Sequence, residues 1–242
     1  MAIARIDFTG NISDRLAARI SPALDYISAK KKYRALLLVI NSPGGGATAS
    51  EIISHKIQNL SEKKPVISVI TGLGASGAYW TAASTTRIFA LRTSLVGSIG
   101  IISILPSFKQ FLERLGIKVD ITKIGEYKSM TSPFEERTDQ QKAHMTEMLQ
   151  DVFEGFRNDI ILKRKIGPEK IGEIINGDIF SAKKAIEYNL IDEIGGVEDA
   201  INYIRTKLKV GGPIKNLTPR PSLVNRFVGG GVRELLEDII IQ

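Results

Sequence analysis

Twice within the first eighty residues, a short continuous apolar run empties into a glycine-rich turn and then into a helical pattern. The first is Leu36–Ile40, followed by Asn41-Ser42-Pro43-Gly44-Gly45-Gly46 and the helical spacing Ile52, Ile53, Ile57, Leu60. The second is Val66–Ile70, after Pro65, followed by Thr71-Gly72-Leu73-Gly74-Ala75-Ser76-Gly77 with a helix opening near Ser76. A strand without alternating polarity is buried on both faces, as in parallel sheets covered by helices. Parallel neighbours need a crossover, commonly a helix. The repeat therefore predicts an α/β fold with a mostly parallel sheet.

The remaining pattern extends that frame. Ile3–Thr9 alternates as a first strand closed by Gly10, and Ser13 is placed to cap a helix carrying Leu16, Ile20, Leu24 and Ile27. Arg87–Leu91, Ile99–Leu105 and Lys118–Ile124 read as further strands, with a helix over Ser107–Leu115. From Thr138 the texture changes: Met145, Met148, Val152, Phe156 and Ile160 mark one long amphipathic helix, and shorter helices follow to about Leu208. Gly211-Gly212-Pro213 and Gly229-Gly230-Gly231 punctuate a tail whose stretch Val232–Ile241 suits a short helix. Its apolar end, Leu235, Leu236 and Ile239–Ile241, is a candidate to pack on a neighbour or enter a substrate groove. The expected division is an α/β core over 1–137, a helical extension over 138–208 packing on core and neighbours, and a tail over 209–242.

Composition narrows the function classes. A chain of 242 residues with 43% hydrophobic and 24% charged residues can bury a real core, which removes disorder as its main state. The net charge of +7 favours anionic surfaces. The densest basic cluster, Lys30-Lys31-Lys32-Tyr33-Arg34, sits where a helix ends, and cations there complement the helix dipole. No stacking aromatics accompany it, so no nucleic-acid partner is expected. With no cysteine, disulfides, thiolate catalysis and Cys-ligated zinc are excluded. The longest apolar run, Ala35–Ile40, is far short of the ~20 residues of a spanning helix, and the N-terminus lacks signal-peptide regions. As it stands the chain reads as soluble, with a removed upstream anchor left open.

The glycine turns carry the chemistry. In open α/β sheets, ligands collect at the carboxyl ends of strands, and glycine lets backbone N–H groups approach them. A serine opening a helix there is exposed and faces a positive helix end. Ser76 has that setting; so does a serine serving only as a helix cap. The α/β-hydrolase elbow is excluded, because position 78 is Ala rather than Gly. A serine hydroxyl needs a base. His55 and His144, the two histidines, both fall within helical patterns and read as surface or packed residues. A lysine can serve once burial lowers its pKa. Lys128, in Ile124-Gly125-Glu126-Tyr127-Lys128-Ser129-Met130, has apolar neighbours that fit partial burial, and a solvated loop lysine fits equally.

Four ordered motifs resemble the signal peptide peptidase A family: Asn41–Gly46, Gly74-Ala75-Ser76-Gly77-Ala78-Tyr79, Gly97-Ser98-Ile99-Gly100 and Gly125–Ser129. Lys128 follows Ser76 by 52 positions, which also matches. Gly177-Asp178-Ile179-Phe180 and Asn189–Gly196 resemble the family's C-terminal signature, so the likeness spans about Ile3 to Leu208. The resemblance implies a Clp/crotonase-like fold and a serine endopeptidase with a serine-lysine dyad. Ser76 would be the nucleophile, Lys128 the base, and Ser98 the hydroxyl that orients the lysine amine. The N–H groups of Gly45 (or of Gly44 or Gly46) and Gly77 would form the oxyanion hole. It further implies peptide substrates such as signal peptide remnants, homo-oligomers whose neighbours share active sites, and membrane association, with no metal or organic cofactor. The family's usual N-terminal anchor is not in this sequence. Two other readings of the same fold are an acyl-CoA lyase or isomerase and a catalytically inactive membrane scaffold.

Overall fold

The computed structural model describes residues 1–219. Strand β1 (Ala2–Thr9) leads into helix α1 (Asp14–Ala29), whose first turn is capped by the Ser13 side chain accepting from the Leu16 N–H at 3.3 Å. Strand β2 (Tyr33–Ser42), helix α2 (Ala47–Ser61), strand β3 (Val66–Ala75) and helix α3 (Gly77–Ala83) follow as two successive strand–turn–helix units. Strands β4 (Arg87–Ala90) and β5 (Leu95–Gly97) complete the N-terminal half. β1, β2 and β3 pair in parallel, and β3 then pairs in parallel with both β4 and β5, because its long span serves two short neighbours at different levels.

The apolar runs are continuous because both sides of each strand are covered. Leu36, Leu38 and Ile40 point to one core with Ile20 and Leu24 of α1 and Ile53 and Ile57 of α2. Leu37 and Val39 point the other way. They meet Ala200, Ile201 and Ile204 of a helix near the C-terminus, α8 below.

Residues after 138 return to the sheet repeatedly. Helix α5 (Asp139–Arg164) is preceded in sequence by the short α4 (Lys109–Arg114) and followed by α6 (Pro168–Ile174). Strand β6 (Ile179–Ser181) then adds to β5 as the one antiparallel pair, followed by helix α7 (Ala182–Glu187). Strand β7 (Glu193–Ile194) pairs with β4, and after α8 (Val197–Thr206) strand β8 (Ile214–Asn216) pairs with β1. The result is an eight-stranded, mainly parallel sheet with helices on both faces.

The stretch 101–137 departs from the sequence expectation. Neither Ile99–Leu105 nor Lys118–Ile124 is a strand, and the helix between them shrinks to Lys109–Arg114. A strand needs a partner with free backbone groups, and the edge of β5 they would have to join is taken by β6. No residue from 101 to 137 is buried, and Ile102, Phe111, Leu115 and Ile124 are 66%, 61%, 59% and 97% exposed. Among the described residues nothing covers the apolar content that suggested strands. In α5, likewise, Phe156 and Ile160 are buried while Met148 and Val152 stay exposed, so only the C-terminal half of the helix packs on the core. There Phe156 stacks on Trp80 of α3 at 4.8 Å between ring centres. The expectations for Val232–Ile241 lie outside the described residues.

Candidate active site

The turn from β3 into α3 is the most strained position on this side of the sheet. Ser76 has φ 52° and ψ −127°, a region that a residue with a side chain seldom enters, at a cost of about 1–3 kcal/mol. Such strain persists only when the surroundings over-determine it. Here the Ser76 N–H donates to the Gly97 carbonyl at 2.8 Å, and the Ser76 carbonyl accepts from Trp80 N at 3.0 Å. Further along α3, the Tyr79 hydroxyl donates to the Leu190 carbonyl at 2.7 Å, and burial pushes that hydroxyl's pKa up. The helix is thus clamped along its length. Ser76 lines a cleft of about 610 Å³.

The first glycine turn forms the facing wall. Ile12 N donates to the Gly44 carbonyl at 2.7 Å and Gly46 N donates to the Ile12 carbonyl at 2.9 Å, leaving the Gly45 N–H between them outside that ladder. Gly45 is exposed to the cleft, and Gly77 N opens α3, where helices leave N–H groups unpaired. Among the described residues neither N–H has a hydrogen-bond partner in the protein. The two turns approach so closely that a Cβ on Gly44 (φ +98°) would lie 2.8 Å from the Ser76 Cβ. They are also cross-tied, since Leu73 N donates to Asn41 Oδ1 at 2.9 Å.

Ser98 lines the same cleft, also in a left-handed conformation (φ 52°). Its N–H donates to the Asp178 carbonyl at 2.6 Å. β6 pairs Ile179 with Gly97 and Phe180 with Val96, so the segment Gly177–Phe180 holds the Ser98 wall in place from behind. Because the Gly97 carbonyl receives the Ser76 N–H, both serines are fixed to one peptide unit. Sequence reading flagged Gly177–Phe180 as a motif but not its purpose; the only trace of that purpose is glycine at 97, where a Cβ would lie 2.9 Å from the Asp178 carbonyl. Gly44 as a contact to Ser76 was likewise missed, since three consecutive glycines do not announce which one is crowded.

The geometry brings together Ser76, Ser98, Gly45 and Gly77. It does not bring Lys128 to them within one chain. Lys128 is exposed on the 101–137 stretch and does not line the cleft, so the burial expected of it is not provided by its own chain. The histidines are elsewhere: His55 is exposed on α2, and His144 lies against the Tyr127 ring and 3.6 Å from Glu147. Among the described residues none of those lining the cleft is titratable; they include Ile101, Ile102, Ile104 and Leu105.

Residues 58–211 match peptidase family S49. The chain belongs to that family. A candidate protease of Methanocaldococcus jannaschii is 35% identical over 190 residues, covering 78% of this chain and 61% of its own length. Protease 4 of Haemophilus influenzae is 30% identical over 190 residues, covering 78% of this chain and 30% of its own. The chloroplast serine protease SPPA of Arabidopsis thaliana is 29% identical over 196 residues, covering 81% of this chain and 29% of its own. This S49 chain thus spans well under two thirds of these relatives. Its fold is that of ClpP: a ClpP1 variant from Listeria monocytogenes superimposes with a TM-score of 0.56 at 18% identity, over 81% of this chain and 94% of the other. No helix among the described residues is long and apolar enough to cross a membrane.

Proposed function

We propose that this S49 chain is a serine endopeptidase in which Ser76 of one copy is served by Lys128 of a neighbouring copy. The observation that carries the reading is a cleft with a strained serine and, among the described residues, two unpaired backbone N–H groups but no titratable side chain in its lining. A hydroxyl nucleophile needs a proton acceptor, so the acceptor has to arrive from outside. Lys128 sits on the stretch 101–137, where Ile102, Phe111, Leu115 and Ile124 are uncovered among the described residues, and a second copy laid against that stretch would bury both.

The steps follow from the groups. Ser76 Oγ attacks the peptide carbonyl as its proton passes to the neutral Lys128 amine. The oxyanion that forms accepts from the Gly45 and Gly77 N–H groups, and Ser98 holds the amine by a hydrogen bond. The lysine ammonium returns the proton to the departing amine, and water, deprotonated by the same lysine, releases the acyl group from Ser76. The lysine accepts the proton only in its neutral form, so activity is expected to rise with pH. Ile101, Ile104 and Leu105, which line the cleft with Ser76, suit small and apolar substrate side chains, as in membrane-derived peptides such as signal peptide remnants.

The test is turnover of a fluorogenic peptide with small and apolar residues by wild type, Ser76→Ala, Lys128→Ala and a co-refolded equal mixture of the two variants. Each variant alone is expected to be inert. The mixture is expected to regain activity, because about a quarter of randomly formed head-to-tail interfaces would pair an intact serine with an intact lysine. An inert mixture of assembled variants would overturn the shared site. An active Lys128→Ala alone would overturn the lysine base.

A further inference from the structure

The turn that carries Lys128 is anchored on both sides of it, and Lys128 N donates to the Gly125 carbonyl at 3.3 Å, which leaves the side chain to project. The Glu126 carbonyl accepts from Gln141 Nε2 at 3.2 Å, and the Tyr127 hydroxyl accepts from Gln140 Nε2 at 2.9 Å. The Tyr127 ring lies on His144, 4.8 Å between centres. The Ser129 hydroxyl is bonded to Lys123 at 2.6 Å and to Glu135, and the Met130 carbonyl accepts from Arg137 Nε at 2.9 Å. Among the described residues the Lys128 amine has no partner. Three of these anchors, Gln140, Gln141 and His144, come from the start of α5; the others come from the 101–137 stretch itself.

Gln141 stands out in this set. It is 4% exposed, in a part of the molecule where almost nothing else is buried. Its Oε1 accepts from Thr138 N at 3.1 Å, closing a capping box in which Gln141 N donates to Thr138 Oγ1 at 3.2 Å. A backbone N–H can bond only to the amide oxygen, so the amide nitrogen is left to face the Glu126 carbonyl, as observed. One side chain therefore fastens the first turn of α5 to the peptide two residues before Lys128.

We propose that Gln141 is a positioning residue for the Lys128 base: it holds the turn so that the lysine amine is projected, rather than laid back on its own chain. The proposal rests on the Ser76–Lys128 reading and deepens it. The choice of glutamine is informative. Glutamate at this capping-box position closes the helix as well or better, but its carboxylate has no proton to give the Glu126 carbonyl. Glutamine alone satisfies both.

The experiment compares wild type with Gln141→Glu and Thr138→Ala, each checked for melting temperature and assembly. The readouts are kcat and KM on the fluorogenic peptide and the pH dependence of Ser76 acylation by a fluorophosphonate. Gln141→Glu is expected to melt and assemble like wild type, keep its KM, and lose about 10- to 100-fold in kcat, the scale of a catalytic group misplaced by an ångström. Its acylation profile should also move to higher pH, because a displaced amine is better solvated. Thr138→Ala weakens the helix cap but keeps the Gln141–Glu126 bond, so it should lose stability and retain kcat. A Gln141→Glu enzyme within twofold of wild-type kcat and with an unmoved pH profile would overturn the proposal. So would a Thr138→Ala enzyme matching its kcat loss, which would make helix capping the cause. Lys128→Ala in the same series separates the outcomes: if that variant is active, the base assignment has failed and not merely its positioning.

Discussion

Gly44→Ala should disable this protein by forcing apart the two glycine turns that flank the cleft. The added methyl would lie 2.8 Å from both the Ser76 Cβ and the Ala75 carbonyl and 2.9 Å from Gly77 N. Two of those atoms are backbone, and none is the free end of a flexible side chain. The position also has φ +98°, where an L side chain is strained whatever the space. Backbone strain of about 1–3 kcal/mol and overpacking of about 1–3 kcal/mol together give roughly 2–6 kcal/mol. For a chain of this size that is a fall in melting temperature of roughly 5–20 °C. Relief requires the two glycine turns to separate, which moves Ser76 away from the Gly45 N–H, so acylation by a fluorophosphonate should fall by about 100-fold or more. Gly46→Ala is the control: the nearest atom to its added Cβ is the Ile12 carbonyl oxygen at 3.8 Å, an ordinary contact. It should cost under about 1 kcal/mol, from the poorer helix cap. Calorimetry and probe labelling on both variants decide the matter. A Gly44→Ala protein as stable and as reactive as Gly46→Ala would refute the claim that close approach of the two turns builds the site.

Two further outcomes follow from groups described above. Ser76→Gly and Ser76→Ala both remove the hydroxyl, but only glycine relieves φ 52°, so Ser76→Gly should be more stable by about 1 kcal/mol in denaturant titration; equal stability would show the turn is not strained. Burial works against the Asp159 carboxylate, yet hydrogen bonds from Lys163 at 2.7 Å and Trp80 at 2.8 Å hold its pKa below the ordinary aspartate value. A depressed carboxylate pKa stabilises the fold above the unfolded value and ceases to as pH falls through the folded one. Asp159→Asn should therefore be less stable near neutrality and show a shallower loss of stability in acid, as read by melting temperature from pH 7 downward. An unchanged acid slope would remove Asp159 from that account.

The sequence exposed the parts of this fold that local physics determines. Leu36–Ile40 and Val66–Ile70 are buried on both faces, and a doubly buried strand can hardly be written without an apolar run. Ser13 and Thr138 cap the helices they precede, because an oxygen in that position meets an unpaired N–H. What sequence misread is the 101–137 stretch, where the apolar residues of Ile99–Leu105 imply a buried strand but the chain has no edge left to receive it. The same limit applies to the site. Ser76, Gly45 and Gly77 are legible because turn, strand end and helix start are local features. In the proposed shared site the distance between Ser76 and Lys128 would be set by how copies meet, and no periodicity within one chain encodes that. The purpose of Gly177–Phe180 is hidden for a related reason: it acts on Ser98 through a backbone carbonyl, which every residue carries.

That long-range tie has a consequence for how the protein is made. Ser76 and its glycine turns leave the ribosome well before Asp178, whose carbonyl holds Ser98, and before β6, which closes over β5. At about 5–20 residues per second, residue 178 follows residue 98 by on the order of 4–16 seconds. During that interval the nascent chain has the serine but lacks the strand that fixes the wall beside it. The wall beside Ser76 is therefore completed only once the segment carrying Asp178 and β6 has been made.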